Sequence, residues 1–146
     1  MPRRARRESA TGFYHIVSRG LDRENIFGEK REKTRFLNLL KDNLNECNVE
    51  IYAYCVMSNH FHLLVKVEKE IMPIFMAKVL GRYAKYYNYK HNRIGYVFEN
   101  RYNTQCIEDE RYFWSCLRYI HMNPVKAKIC SNIMQYEHSS LREYTG

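Results

Sequence analysis

Two histidines, His60 and His62, flank a single apolar residue in the run HFHLLV. On an extended strand residues two apart share a face, so both imidazoles point the same way while Phe61, Leu63 and Val65 face the other side and offer a core surface. Such a pair can hold one metal ion between its ring nitrogens. It fits equally well two half-exposed histidines on an amphipathic strand, and the pair alone leaves both readings open. Near the other end of the chain, Tyr119 and Asn123 lie four apart in a segment with helical spacing and therefore project from one helix face. A phenol is a latent nucleophile and an amide carbonyl is a ligand for hard cations. Two imidazoles and one amide oxygen around Mg²⁺ or Mn²⁺ would leave positions for phosphate oxygens, with the phenol placed for in-line attack. Taken alone, Tyr119 is one of 13 tyrosines and reads as a core aromatic, and Asn123 reads as a helix-end residue before Pro124.

The elements that must position these groups can be read from periodicity. Phe13 to Ser18 is β-rich and runs into Arg19-Gly20, a strand followed by a turn. From Glu29 to Glu46, Phe36, Leu37, Leu39, Leu40 and Leu44 recur at helical spacing. Val49 to Met57 and His60 to Val67 are β-branched and aromatic, joined by Ser58-Asn59 as a short hairpin connection. A second helix is expected from about Glu70 to Lys90, an extended stretch from Ile94 to Ile107, and a third helix from about Asp109 to Met122. That helix should stop near Asn123-Pro124, because the residue before a proline avoids the helical region. The element order predicts an α+β fold, a ferredoxin-like sandwich with helices packed on one face of an antiparallel sheet. Residues 1–12 read as a basic N-terminal arm and 13–146 as one catalytic domain.

Length and composition set the bounds. A chain of 146 residues buries about 70% of the surface its unfolded form exposes, enough for one core without covalent staples. With 45% hydrophobic and 27% charged residues the chain is globular rather than disordered. No apolar run approaches the roughly 18 residues of a membrane span, and Met1 to Arg7 leads into Glu8, Ser9 and Ala10 rather than a secretory apolar stretch. The expected location is the cytoplasm, associated with the nucleoid. Five scattered cysteines without a C-x-x-C pair argue against a zinc ribbon and a disulfide framework. Net charge of +8, from 24 Lys and Arg against 16 Asp and Glu, favours a polyanionic partner.

Four blocks carry a resemblance to a known family: FYHIVSRG (Phe13 to Gly20), YAYCVMSNHFHLLV (Tyr52 to Val65), GYVFENRY (Gly95 to Tyr102) and YIHMNPVKAKI (Tyr119 to Ile129). Together they resemble the single-tyrosine transposases of the His-hydrophobic-His endonuclease superfamily, most closely the REP-associated tyrosine transposases. The resemblance implies a ferredoxin-like fold, a divalent metal (Mg²⁺ or Mn²⁺) on His60, His62 and Asn123, and Tyr119 as nucleophile. It also implies single-stranded or hairpin DNA as substrate, a 5′-phosphotyrosine intermediate with a freed 3′-hydroxyl, and action as a monomer or homodimer, with Tyr119 serving histidines of its own chain or of a partner. Two other classes fit the same residues: a domesticated hairpin-binding regulator that does not cleave, and a replication-initiator or relaxase-type nickase.

Candidate DNA contacts are the arginines of the arm (Arg3, Arg4, Arg6 and Arg7), Arg19 after the first strand, and Arg82, Tyr83, Lys85, Tyr86 and Tyr87, which combine charge with stacking surface. His15 could line the site or be a satisfied structural histidine. His121 falls on the wrong side of an ideal helix to serve Tyr119, so the general base is not assigned. Where many relatives carry Trp-Ser-Ser, this chain reads Glu137-His138-Ser139-Ser140, and a further DNA-binding segment of some relatives is absent.

Overall fold

The structure, a computed structural model, describes residues 5–127 and 136–141. Strand β1 (Phe13–Arg19) leads through one 3-10 turn (Leu21–Arg23) to α1 (Lys30–Cys47). Strands β2 (Glu50–Val56) and β3 (His60–Lys66) follow, then α2 (Met72–Lys90), β4 (Asn103–Ile107) and α3 (Glu110–Lys126). The sheet order is β2-β3-β1-β4 with every neighbouring pair antiparallel. This is the β-α-β-β-α-β ferredoxin-like arrangement, so the expected fold class holds.

Strand alternation divides the molecule. Tyr14 and Ile16 of β1 and Phe61, Leu63 and Val65 of β3 face α1 and α2, where they join Phe27, Phe36, Phe75, Val79 and Tyr83 in the larger core. Aromatic rings dominate there: Phe36 lies 4.7 Å from Phe61 and Phe27 4.9 Å from Tyr83, centroid to centroid. The opposite face carries a smaller cluster of Ala53, Cys55, Leu64, Ile107, Cys116 and Ile120. That cluster seats α3, so packing on a single face describes α1 and α2, while α3 crosses the other side. Small residues in β2, Ala53 and Cys55, lie against α3 in that cluster, and the imidazoles of the central strands β1 and β3 lie beside them.

Helix α3 starts at a normal cap, where the Asp109 side chain accepts from Tyr112 N–H at 2.8 Å. It does not stop before Pro124 as the sequence suggests. The helix continues to Lys126, and Ala127 N–H still bonds the Asn123 carbonyl at 2.9 Å. Proline removes one donor but leaves the carbonyls on either side usable, and the buried Pro124 ring gains packing that offsets the loss. Two further expectations shift. Of the extended stretch 94–107 only Asn103–Ile107 is a strand, with Phe98 making a single bridge to Gly20. Helix α2 begins at Met72 with Pro73 in its first turn, a position where the missing N–H costs nothing.

The Ser58-Asn59 turn is pinned from outside the hairpin: Gly20 N–H donates to the Asn59 carbonyl and Phe27 N–H to the Ser58 carbonyl, both at 2.8 Å. Gly20 is required there, since a Cβ on it would sit 2.3 Å from the Glu24 carbonyl oxygen. The loop beyond it stores strain, with Asp22 and Arg23 both at positive φ (55° and 60°).

Candidate active site

On the α3 face of the sheet, antiparallel register sets out rows of side chains. His62 pairs with Val17, His60 with Arg19, and His15 with Leu64 on one side and Gln105 on the other. His15 therefore lies diagonal to His62. Their rings stack at 5.2 Å with a 21° tilt, and His15 Nε2 lies 3.0 Å from His62 Nδ1. The His60 ring stands 5.1 Å from His62, nearly perpendicular to it, with its Nδ1 2.8 Å from Asn59 Oδ1. Above this row α3 places the Tyr119 ring 5.6 Å from His62 and 6.0 Å from His15. One turn further along α3, Asn123 hydrogen-bonds His60. Both groups keep to one face because the helix passes through Pro124.

These side chains line an open cleft of about 1130 Å³, together with Arg19, Arg23, Asn59, Asn103 and Tyr112. Tyr119 is 42% exposed and so is reachable from solvent within its own chain. Lys126 stands over the outer side of its ring, 4.8 Å from the centroid. The imidazoles are held neutral. Burial, followed by the nearby His15 and His60, pushes His62 down to about 3. Burial lowers His15, against the hydrogen bond it makes to Gln105. Burial also lowers His60, opposed by its bond to Asn123 and aided by the positive charge of Arg19.

A neutral imidazole offers one bare nitrogen, and the neighbours decide which. Asn59 Oδ1 can only accept, so His60 carries its proton on Nδ1, and its unprotonated Nε2 is the nitrogen left for Asn123 or for a cation. His62 meets His15 through Nδ1, and its Nε2 is left for the cleft. Two imidazole nitrogens and the Asn123 amide oxygen make a donor set that fits a divalent cation, Mn²⁺ better than Mg²⁺ because imidazole is the softer ligand. Among the described residues no group of three or more His, Cys, Asp or Glu is arranged to hold a metal ion. In such a site the Asn123 amide would stand as the third protein donor, and the set as a whole would carry no charge.

Residues 9–123 match the family described as IS200-like transposases. The chain belongs to the IS200-like transposase family. No curated protein matches it. Among solved structures, a REP-associated tyrosine transposase bound to a REP hairpin superposes with a TM-score of 0.79 at 14% identity, covering 98% of this chain and 84% of that one. A Deinococcus radiodurans protein described as a transposase superposes at 0.55 and 17% identity, covering 82% of this chain and 95% of that one. At these identities both comparisons speak for the fold.

The other residues singled out from the sequence scatter. Arg19 lines the cleft and pairs with Glu99 at 3.5 Å. Arg3 and Arg4 lie outside the described residues. Arg6 is not part of a loose arm: its guanidinium covers the Tyr102 ring at 3.9 Å and donates to the Tyr102 carbonyl at 2.7 Å. Arg7 is exposed beside β4, where its carbonyl accepts from Cys106. The α2 group sits behind the sheet, on the side away from the cleft. Tyr83 is fully buried and its hydroxyl donates to the Ile26 carbonyl, so its ring is a core wall and not a stacking platform for a base. Tyr87 is likewise buried, bonding Glu24. Tyr86 is half-buried under Arg35, Arg82 ties α2 to Asn43 of α1 at 3.1 Å, and Lys85 is exposed. His121 is buried and bonds Ser140 at 2.7 Å, away from Tyr119.

Sequence reasoning passed over Gln105, Tyr112, Asn59, Arg23 and Lys126. Asn59 could have been found, since it directly precedes His60 in a hairpin turn. Gln105 and Tyr112 could not, because their place depends on the pairing of β1 with β4.

Proposed function

We propose that this chain nicks and rejoins single-stranded DNA as a metal-dependent tyrosine transposase, acting at hairpin-flanked sites. The observation that carries the reading is the Tyr119 ring beside His62 over an open cleft walled by neutral imidazoles. His60 and His62 through Nε2 and Asn123 through its amide oxygen would hold the cation, Mn²⁺ or Mg²⁺. When bound, the cation draws charge from the non-bridging oxygens of a phosphodiester, which otherwise repel a nucleophile.

Tyr119 supplies the nucleophile. Its oxygen forms a bond to phosphorus as the bond to the 3′ oxygen breaks, leaving a 5′-phosphotyrosine and a 3′-hydroxyl that takes up a proton. Reversal by another 3′-hydroxyl rejoins strands without an external energy source, because the phosphodiester energy is kept in the link to tyrosine. Lys126 adds positive charge beside the Tyr119 ring, which an approaching phosphate would meet. Arg19 and Arg23, on the cleft wall, are placed to meet flanking phosphates. A REP hairpin is what the structurally similar tyrosine transposase binds, which makes hairpin DNA the substrate to try first. The family match favours this group over replication-initiator and relaxase-type nickases.

Incubation with a labelled hairpin oligonucleotide and Mn²⁺, followed by denaturing electrophoresis, should give a covalent adduct that EDTA or Tyr119→Phe abolishes. Tyr119→Phe should still bind the hairpin. An adduct that survives this substitution places the nucleophile elsewhere, and hairpin binding without any adduct in the wild type selects the non-cleaving regulator instead.

A further inference from the structure

The reaction assigned above uses His60 and His62 but gives no task to the third imidazole of the cleft. His15 is 7% exposed, lies diagonal to His62 across the β1–β3 pair and has no place in the hydrophobic clusters. Its Nε2 meets His62 Nδ1 at 3.0 Å. One of these two nitrogens must donate and the other accept, and the choice decides what His62 can do. If His15 donates, His62 accepts on Nδ1, and its only proton sits on Nε2, where it blocks the lone pair facing the cleft. If His15 accepts, His62 carries its proton on Nδ1 and Nε2 is bare.

The far side of His15 breaks the tie. Gln105, its cross-strand partner on β4, hydrogen-bonds the ring. Gln105 Oε1 already accepts from the Tyr112 hydroxyl at 3.2 Å, which identifies the oxygen end of the amide on the Tyr112 side of the cleft. An oxygen can only accept, so His15 donates to it through Nδ1 and has no proton left on Nε2. We infer that Tyr112, Gln105 and His15 form an orienting relay that sets the tautomer of His62 and aims its Nε2 lone pair into the cleft. His15 is then a positioning residue, and Gln105 fixes the direction of the chain. The arrangement parallels the one at His60, where Asn59 Oδ1 holds the Nδ1 proton directly. Partners that orient metal-binding histidines in this way typically change metal affinity 10–100-fold when removed.

The inference rests on the proposed cation site, and the test separates the two. Long-range ¹H–¹⁵N spectra of metal-free protein labelled at histidine should show His62 protonated on Nδ1 and bare on Nε2. Gln105 is exposed, so its replacement spares the core. Gln105→Leu should convert His62 partly to the Nε2-protonated form and weaken Mn²⁺ binding about 10-fold or more by calorimetry. Gln105→Glu, which keeps the acceptor, should retain both the tautomer and the affinity. His15→Phe should behave like Gln105→Leu, with thermal melting as the check on folding. A wild-type His62 protonated on Nε2, or a Gln105→Leu protein with unchanged spectrum and affinity, overturns the relay. His62→Ala is the control for the site itself. If it binds Mn²⁺ as tightly as the wild type, the cation reading fails; if it loses Mn²⁺ while Gln105→Leu and His15→Phe do not, only the relay fails.

Discussion

Acidification should destabilise the metal-free protein well before carboxylates titrate, and His62 should account for a definite part of the loss. Burial brings the folded pKa of His62 to about 3, whereas the unfolded chain has a histidine near 6.5. The folded state therefore binds the proton less tightly than the unfolded state. Stability is fully present above about 6.5 and falls as pH drops below it, continuing until the folded pKa is reached. Between pH 7 and pH 5 the unfolded histidine becomes almost fully protonated while the folded one stays bare, which costs about 2 kcal/mol from this residue. The figure is insensitive to the folded value, since any folded pKa below about 4 gives nearly the same result at pH 5. His15, His60 and His138 are lowered in the same direction and steepen the slope. Set against a total stability of about 5–15 kcal/mol for a domain, the combined loss is large enough to measure.

Urea unfolding in EDTA, repeated at half-unit steps from pH 7.5 to 5, gives the slope directly. The same series on His62→Leu should be shallower by about one proton, or about 1.4 kcal/mol per pH unit below 6.5. Working above pH 5 keeps ordinary carboxylates out of the window. Parallel lines for wild type and variant would show that His62 is not held neutral by the fold, and the donor argument for its Nε2 would go with it.

Three other outcomes are expected. Tyr83→Phe should lower stability by about 1–3 kcal/mol, because the buried Ile26 carbonyl loses its donor, and should leave hairpin affinity under native conditions unchanged; a drop in affinity without a drop in stability would restore the stacking role. Because the donors of the proposed cation site are all neutral, a DNA phosphate would supply the balancing charge. Mn²⁺ should therefore tighten hairpin binding to Tyr119→Phe by about 5–150-fold, and the hairpin must then tighten Mn²⁺ by the same factor; hairpin affinity that is indifferent to Mn²⁺ would contradict the shared site. Arg6→Ala should melt at lower temperature, since it removes the cover over Tyr102 and two hydrogen bonds to the β4 edge, a result foreign to a free arm.

The parts of the fold legible in the sequence were those set by local periodicity. Period two in HFHLLV gave both the strand and its division into a core side and a histidine side, and Phe36, Leu40 and their neighbours gave the helix that covers the core side. Long-range register was not legible. Nothing in the local pattern says that β1 lies between β3 and β4, yet this alone brings His15 against His62 and Gln105 against His15. The tyrosines of α2 misled for a related reason. Alternation of Tyr and Lys resembles a stacking surface, but burial follows from which helix face meets the sheet, and Tyr83 and Tyr87 lie on that face while Tyr89 does not. At Asn123-Pro124 a local rule was overridden by tertiary packing, since the buried proline stays within α3.

The two faces of the sheet divide stability from chemistry. On the α1–α2 side the two central strands present Tyr14, Ile16, Phe61, Leu63 and Val65 to the helices, and the tyrosines there are walls of the core. On the α3 side the apolar contacts are confined to one end, with Leu64, Ala53 and Ile107 against Cys116 and Ile120. Polar groups begin in the row of Leu64 itself, with His15 and Gln105, and continue along the strands with His62 and then with His60 and Arg19. Helix α3 spans both zones and is anchored by its apolar half, which lets its polar half reach over the imidazoles without having to be packed there. The arrangement explains why Tyr119 can remain accessible in a folded protein while only about one turn of helix separates it from buried Cys116 and buried Pro124. The covalent role proposed for Tyr119, joining a DNA end and later releasing it, calls for such an anchored but uncovered position.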